Sequence, residues 1–210
     1  LSIIVFSLFF SWLLAFPFEG QVLYAISARH NITPHAMLFG SIAAHFLGLI
    51  SSGFVVKSLK AAKRLMLASI IVCIVGTSVF FLVPSVIWSI SLWTMSFLTG
   101  GCVAAWGFCL KSYTPTNQRI NTIADGLIWS NILMILLNTV AIRLSALGGL
   151  GLSIVFLAGA FFFAARLPEN ELAEERSDSS GDPKPISPLK PLVFLCLFII
   201  DSTAKTPKIL

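Results

Sequence analysis

Two polar side chains lie beside a helix-breaking residue near the start of an otherwise apolar sequence. The segment Pro17-Phe18-Glu19-Gly20-Gln21 combines a carboxylate and an amide with a proline, which removes a helical hydrogen bond, and a glycine, which weakens a helix. We therefore expect a kink or an unwound turn here. An ionised group inside a bilayer costs about 3 kcal/mol on insertion scales, so Glu19 either contacts a proton or solute or is solvated at the mouth of a cavity.

A histidine lies halfway along the apolar run of residues 34–56. At 1.5 Å of helix rise per residue, His45 lies about 16 Å into a helix, near the middle of a hydrocarbon core that is about 30 Å thick. The sequence leaves two roles open for this imidazole. It either carries a proton or contacts a solute, or it forms a neutral hydrogen bond between neighbouring helices.

The apolar run of residues 120–142 carries further polar side chains. Asn131 and Asn138 are seven residues apart, so a helix places them on one face, where they are candidates to line a solute pathway. Asp125 lies only six residues after Arg119, which predicts a position near the membrane surface. There we expect it to pair with loop cations in a gating or structural role.

The stretch GFVVKSLKAAKRLML concentrates positive charge between two apolar runs. It begins with Gly53, and the eight positions from 57 to 64 hold four cations: Lys57, Lys60, Lys63 and Arg64. This pattern is typical of a cytoplasmic loop that lies against anionic lipid, and in a chain of this composition it argues against a nucleic-acid partner.

Composition determines the class of protein. Of the 210 residues, 57% are hydrophobic and 11% are charged, whereas a soluble domain carries about 25% charged residues. A soluble core cannot hide that much apolar surface, so we expect an all-α integral membrane protein. Six runs are long enough for spanning helices, and they are continuously apolar rather than alternating, which favours helices over barrel strands. They cover residues 2–26, 34–56, 65–83, 85–110, 120–142 and 147–166.

Lysine and arginine are distributed unequally between alternate gaps of these six runs. The gaps after the second, fourth and sixth runs hold ten such residues, and the gaps after the first, third and fifth hold two. The positive-inside rule then places the N-terminus and the ten-cation gaps in the cytoplasm. We expect a multi-pass protein of the plasma or inner membrane.

The change in composition after Arg166 divides the chain into three segments. Residues 1–166 are predicted to form a six-helix transmembrane bundle, and residues 167–191, acidic and then rich in Ser, Gly and Pro, a flexible cytoplasmic linker. Residues 192–210 begin with nine apolar residues, which are too few to span a bilayer. We interpret them as the start of a seventh helix and the chain as an N-terminal fragment.

This layout resembles the N-terminal half of a major facilitator superfamily transporter. Gly53, three apolar residues and the later cations Lys63 and Arg64 are similar to the family's signature between its second and third helices, where Lys57 replaces an Asp. The segment FLTGGCVAAWGFCL is rich in small residues, as the fourth helix is in the family. The segment KSYTPTNQR resembles the family's next loop, in which an aromatic residue, a proline and an arginine precede the fifth helix.

The resemblance implies a secondary transporter of a small solute, without a cofactor or a metal site, in which two six-helix bundles rock about a central cavity. This chain would supply the N-terminal bundle, half of a twelve-helix fold. Its partners would be the solute, the bilayer and the missing C-terminal bundle. The candidates for the solute or ion pathway are Glu19, Gln21, His45, Asn131 and Asn138.

The cytoplasmic gating loop has its own candidates. They are Gly53, Lys57, Lys63, Arg64 and Asp125, and Asp125 is a conceivable acidic partner for Lys57. A further stripe of small residues recurs at every fourth position of the second run and allows another helix to approach closely. We expect the other bundle to pack against this stripe, which consists of Gly40, Ala44, Gly48 and Ser52.

The alternative function is a membrane-embedded sensor or regulator that keeps the transporter fold and carries an effector domain beyond residue 210. Lys57, in the place of the family's acidic residue, favours this alternative. An enzyme is not expected. The glycine-flanked segment TGGCVAAWG has no serine for an intramembrane serine protease, and the sequence contains no H-E-x-x-H pair to hold zinc.

Reporter fusions test the predicted orientation. We expect green fluorescent protein fused after Ser58 to fluoresce and alkaline phosphatase at the same site to be inactive, because the surrounding cations keep this loop in the cytoplasm. The same two reporters fused after Asn31 should give the opposite pair of signals. Phosphatase activity from the Ser58 fusion would contradict the orientation.

Overall fold

A computed structural model describes residues 1–18 and 20–167, and every regular element in this part of the chain is helical. The seven α-helices are α1 (Ser2–Ala15), α2 (Gln21–Arg29), α3 (His35–Val55), α4 (Leu59–Ser78), α5 (Val86–Tyr113), α6 (Arg119–Thr139) and α7 (Ala146–Ala165). Short 3-10 turns cover Val79–Phe81 and Thr116–Gln118, and a π-helical turn covers Val140–Leu144.

Five of the described helical segments are long and apolar enough to cross a membrane. This finding indicates a multi-pass membrane protein and confirms the all-α class. The segments coincide with the second to sixth predicted runs, and they cover Met37–Val55, Leu59–Phe81, Val86–Tyr113, Thr116–Leu144 and Ala146–Ala165. The predicted linker at 167–191, apart from Leu167, and the predicted start of a seventh helix at 192–210 lie outside the described residues.

The first predicted run, residues 2–26, is not one helix. It divides into α1 and α2 at the turn that contains Pro17, whose ring nitrogen carries no hydrogen to donate. The N–H of Phe18 reaches back five residues to the carbonyl of Leu13, at 3.2 Å, instead of continuing the α-helical ladder. The unwound turn predicted from the sequence is therefore confirmed.

Helix α4 begins six residues before the third predicted run, at Leu59 rather than at residue 65. Ser58 caps it, since its side-chain oxygen accepts a hydrogen bond from the N–H of Ala61 at 3.2 Å. Lys60, Lys63 and Arg64 consequently lie within the first turns of α4 and not in a loop. Their charges did not end the helix because long basic side chains can keep their charged ends in water while the backbone stays helical.

The helices pack in the order α3, α5, α4, α7, α1, α6, each against the next. The central members are enclosed, and Trp12 and Leu13 of α1 have no exposed surface. The two end helices α3 and α6 each pack mainly along one neighbour. They expose large apolar side chains such as Phe39 of α3, which is 79% exposed, and Ile128 of α6, which is 57% exposed.

This packing order has an internal symmetry. Exchanging α1 with α5, α3 with α6 and α4 with α7 converts the α3–α5 contact into the α6–α1 contact and the α4–α5 contact into the α7–α1 contact. The α4–α7 contact is converted into itself. Where successive segments cross a membrane in alternate directions, segments three places apart run in opposite directions, so this packing order is the one that an inverted repeat would give.

The stripe of small residues on α3 packs against α5. Gly40 lies against the indole of Trp93, and Gly48 lies against the backbone of Phe97. From the other side, Gly100 of α5 lies against the backbone of α3 next to His45. The expectation that a second bundle covers this stripe is wrong, because α5 already occupies it and the two backbones are in contact.

Two glycines of α5 give a matched test of this close contact. We expect Gly100→Ala to destabilise the protein by about 1–3 kcal/mol, because the added methyl group would overlap the His45 carbonyl. Gly107→Ala, where the methyl group would meet no atom within 4 Å, should be neutral or stabilise the helix by up to about 1 kcal/mol. Thermal unfolding of both variants in detergent measures the difference, and equal stabilities would contradict the contact.

Candidate functional site

A buried polar cluster lies between α3 and α5, beside the unwound turn that joins α1 to α2. His45 occupies the middle of α3, and Ser41 lies one helical turn before it. Ser96 and Thr99 are three residues apart on α5, so they share the face that packs on α3. All four side chains are buried, and the most exposed of them, His45, is only 8% exposed.

His45 forms a hydrogen bond between the two helices. Its Nδ1 lies 2.9 Å from Oγ1 of Thr99, and the Thr99 hydroxyl donates in turn to the backbone carbonyl of Ser96 at 2.7 Å. The ring of Phe18, from the unwound turn, contacts the imidazole edge-to-face with centroids 4.7 Å apart. The neutral interhelical bond that the sequence left open is therefore present, and it uses one of the two ring nitrogens.

Ser41 connects the same cluster to the unwound turn. Its hydroxyl donates to the carbonyl of Pro17 at 3.2 Å, and its oxygen also contacts the hydroxyl of Ser96. A hydroxyl has one hydrogen, so Ser41 accepts from Ser96 while it donates to Pro17. The cluster thus joins three segments of the chain, namely the turn, α3 and α5.

The remaining pathway candidates do not meet at this cluster. Gln21 is exposed as the first residue of α2, and Glu19 lies outside the described residues. Asn131 is exposed and donates to the Leu127 carbonyl of its own helix at 2.8 Å. Asn138 is half-buried, and its Oδ1 has no hydrogen-bond partner among the described residues. Both asparagines belong to α6, at the opposite end of the packing order from α3.

The basic candidates lie at one end of the bundle. Lys63 binds the last described residue, because its Nζ donates to the carbonyl of Leu167 at 2.7 Å. Lys57 and Arg64 are exposed, and a side chain at Gly53 would meet no atom within 4 Å. The structure therefore joins the start of α4 to the end of α7, a contact that the sequence did not predict.

Asp125 is not placed to pair with Lys57. It is exposed on α6, whereas Lys57 follows α3, and these helices occupy opposite ends of the packing order. Arg119, six residues before Asp125, has different partners. Its Nε donates to the carbonyl of Thr114 at 2.9 Å, and its Nη2 donates to the carbonyl of Lys111 at 2.8 Å, so it caps the end of α5.

Sequence reasoning missed Ser96 and Thr99 of the polar cluster, and it missed Phe18, whose ring contacts His45. A signal for the two hydroxyls was available. Ser96 and Thr99 lie three residues apart near the middle of a run that otherwise carries mainly apolar side chains, at the same depth as His45. The contribution of Phe18 had no such signal, since it depends on the direction that the chain takes after Pro17.

Comparison of the chain with protein-family models, with curated proteins and with solved structures gives no match in any of the three. Within residues 1–18 and 20–167, no group of three His, Cys, Asp or Glu side chains is placed to hold a metal ion. The cluster itself offers hydrogen bonding and proton transfer by one imidazole and three hydroxyls.

Two serines of α3 test the link between the cluster and the unwound turn. We expect Ser41→Ala to cost about 1–3 kcal/mol and to speed amide exchange at Phe18, because it removes the hydroxyl bonded to the buried Pro17 carbonyl. Ser51→Ala should change stability by less than about 0.5 kcal/mol, since Ser51 bonds only within its own helix. Thermal unfolding and hydrogen exchange measure both effects, and the same result for both variants would contradict the link.

Proposed function

We propose that this chain is the N-terminal bundle of a secondary transporter for a small solute, of the major facilitator type, which works by alternating access. In this proposal α1 and α2 together make the first of six membrane crossings, and α3 to α7 make the other five. The basic end, which carries Lys57, Lys63 and Arg64, faces the cytoplasm of the plasma or inner membrane.

The observation that carries this proposal is the internal symmetry of the packing. The contacts exchange when the first three proposed crossings are exchanged with the last three. Successive crossings in alternate directions would make the exchanged helices antiparallel. Inverted repeats of this kind are a recurrent feature of secondary transporters, whose binding sites lie at the interface between repeats near the middle of the membrane. A sensor that keeps the transporter fold would share this symmetry, so measurements of transport separate the two functions.

The polar cluster has the position that such a site requires. Pro17 and Ser41 belong to the first set of three crossings, and Ser96 and Thr99 belong to the second, so the cluster lies at the interface between the two sets. It also lies beside a discontinuous helix, another recurrent feature of transporter sites. His45, in the middle of α3, is the one side chain of the cluster that can exchange a proton near neutral pH.

The exposed faces of α3 and α6 support the presence of a second bundle. These two helices exchange with each other under the internal symmetry, and each packs mainly along one neighbour. Both expose large apolar side chains along much of their length, including Phe46 and Ile50 on α3 and Ile132 and Ile135 on α6. In the proposed transporter, a second bundle related by rocking would pack along these two helices.

Uptake measurements on the complete gene product test the proposal. We expect cells that express it to accumulate at least one solute from a broad panel, and a protonophore should abolish this accumulation. His45→Gln should lower uptake about tenfold or more, because glutamine retains hydrogen bonding but cannot carry a proton. His35→Gln is the matched control, since His35 is exposed at the start of α3 and lies outside the polar cluster.

Each outcome of this experiment has a distinct meaning. Full uptake by His45→Gln, in a protein that transports, would remove His45 from the mechanism. Absence of uptake for every solute in the panel, with a soluble effector domain encoded after residue 210, would replace the transporter with the sensor or regulator. Glu19→Gln in the same assay tests the one carboxylate that adjoins the cluster in sequence.

A further inference from the structure

The hydrogen bonds around His45 determine which of its nitrogens carries the proton in the neutral ring. The hydroxyl of Thr99 has a single hydrogen, and this hydrogen is donated to the carbonyl of Ser96 at 2.7 Å. Oγ1 of Thr99 is therefore an acceptor toward Nδ1 of His45, 2.9 Å away. Both bonds form together only when Nδ1 is the protonated nitrogen, and Nε2 is then left with a lone pair.

His45 interacts with α5 through the Thr99 hydroxyl and the Ser96 backbone, and the Ser96 carbonyl lies next to Thr99 Oγ1, the atom that Nδ1 contacts. The second nitrogen, Nε2, is not among the described polar atoms that are enclosed without a partner. His45 as a whole residue is 8% exposed, and the Phe18 ring contacts its imidazole edge-to-face. The bond to Thr99 thus holds the ring through Nδ1 and does not use Nε2.

We propose that Thr99 is a positioning residue that fixes His45 in the Nδ1-protonated form, so that Nε2 forms an acceptor site for a hydrogen-bond donor. The ligand of this site is a proton, or a hydroxyl or ammonium group of a solute. An ionised carboxylate offers no hydrogen to the neutral ring and would bind only after Nε2 has taken up a proton. The use of the site in transport rests on the proposed function, but its geometry does not.

The surroundings of His45 leave Nε2 as the reactive atom. Toward the ring, α5 contributes the Thr99 hydroxyl and the Ser96 backbone, and the unwound turn contributes Phe18. No charged side chain among the described residues acts on the imidazole. The neighbouring carboxylate in sequence, Glu19, lies outside the described residues.

This arrangement accepts both protonation states without a rotation of the ring. When Nε2 takes up a proton, Nδ1 keeps its hydrogen and its bond to Thr99, and the ring gains one positive charge. The same atom then changes from an acceptor to a donor. The α3–α5 contact need not move for the proton to bind or leave, because the bond that spans the two helices is the same in both states.

Nitrogen NMR of the full chain, labelled with 15N-histidine and held in nanodiscs, tests the assignment without any transport measurement. His30→Gln and His35→Gln variants identify the signals of His45. We expect the neutral ring to show a protonated Nδ1 and an unprotonated Nε2, and acidification should protonate Nε2 while the Nδ1 signal changes little. A neutral ring protonated mainly on Nε2 would overturn the proposal.

Substitutions at Thr99 separate positioning from packing. Thr99→Ser keeps the hydroxyl and should preserve the tautomer, whereas Thr99→Val keeps the shape and should shift at least half of the neutral rings to the Nε2-protonated form. Thr94→Val, on the exposed face of α5, is the matched control and should have no effect. Unchanged tautomer populations in Thr99→Val, with the His30 and His35 signals at their wild-type positions as a check of folding, would also overturn the proposal. If the wild-type tautomer is as proposed but His45→Gln transports normally, the acceptor site stands and its use in transport is wrong. If His45→Gln loses uptake but the neutral wild-type ring is protonated on Nε2, the proposed function stands and the assignment of the tautomer is wrong.

Discussion

Inside a bilayer, a backbone group that leaves the helical ladder must find its partner within the protein, because lipid tails offer none. This constraint explains the least regular parts of the chain. The buried carbonyl of Pro17 lies at the break between α1 and α2, and the hydroxyl of Ser41 on another helix supplies its hydrogen bond. Where α5 ends, Arg119 satisfies two carbonyls with one guanidinium, and where α1 begins, the indole of Trp106 binds the carbonyl and the hydroxyl of Ser2.

The same constraint organises the contact on which the polar cluster depends. Gly100 lies against the backbone of α3 beside His45, so α5 cannot slide along α3 without a clash between main chains. Thr99 is the residue before Gly100, and its hydroxyl therefore stays at a fixed position relative to the imidazole. Rigid support of this kind is what a proton-transfer or binding site requires, since misplacement by about 1 Å is enough to weaken such a site.

Hydropathy was sufficient to predict most of the fold. Five of the six predicted runs correspond to single helices that can span a membrane, and the effect of Pro17 on the first run was readable from its chemistry. The start of α4 was misplaced because charge was taken as the end of a helix, whereas Ser58 begins it. Hydropathy also cannot show which helices are neighbours. The stripe that includes Gly48 was correctly predicted to allow a close approach, but only the three-dimensional packing identifies α5 as its partner. For the same reason the sequence found His45 and did not find Thr99.

The order of helices in space has a consequence for the assembly of the protein. Helix α1 comes before the other described helices in the sequence and is only 14 residues long, about 21 Å at 1.5 Å per residue, which is shorter than the hydrocarbon core. Its main neighbours, α6 and α7, are the last described helices to be synthesised. Until they arrive, a short and interrupted segment must remain in the translocon or the bilayer without its packing partners. Packing around α1 is thus postponed until α6 and α7, which follow the other described helices in the sequence, have been synthesised.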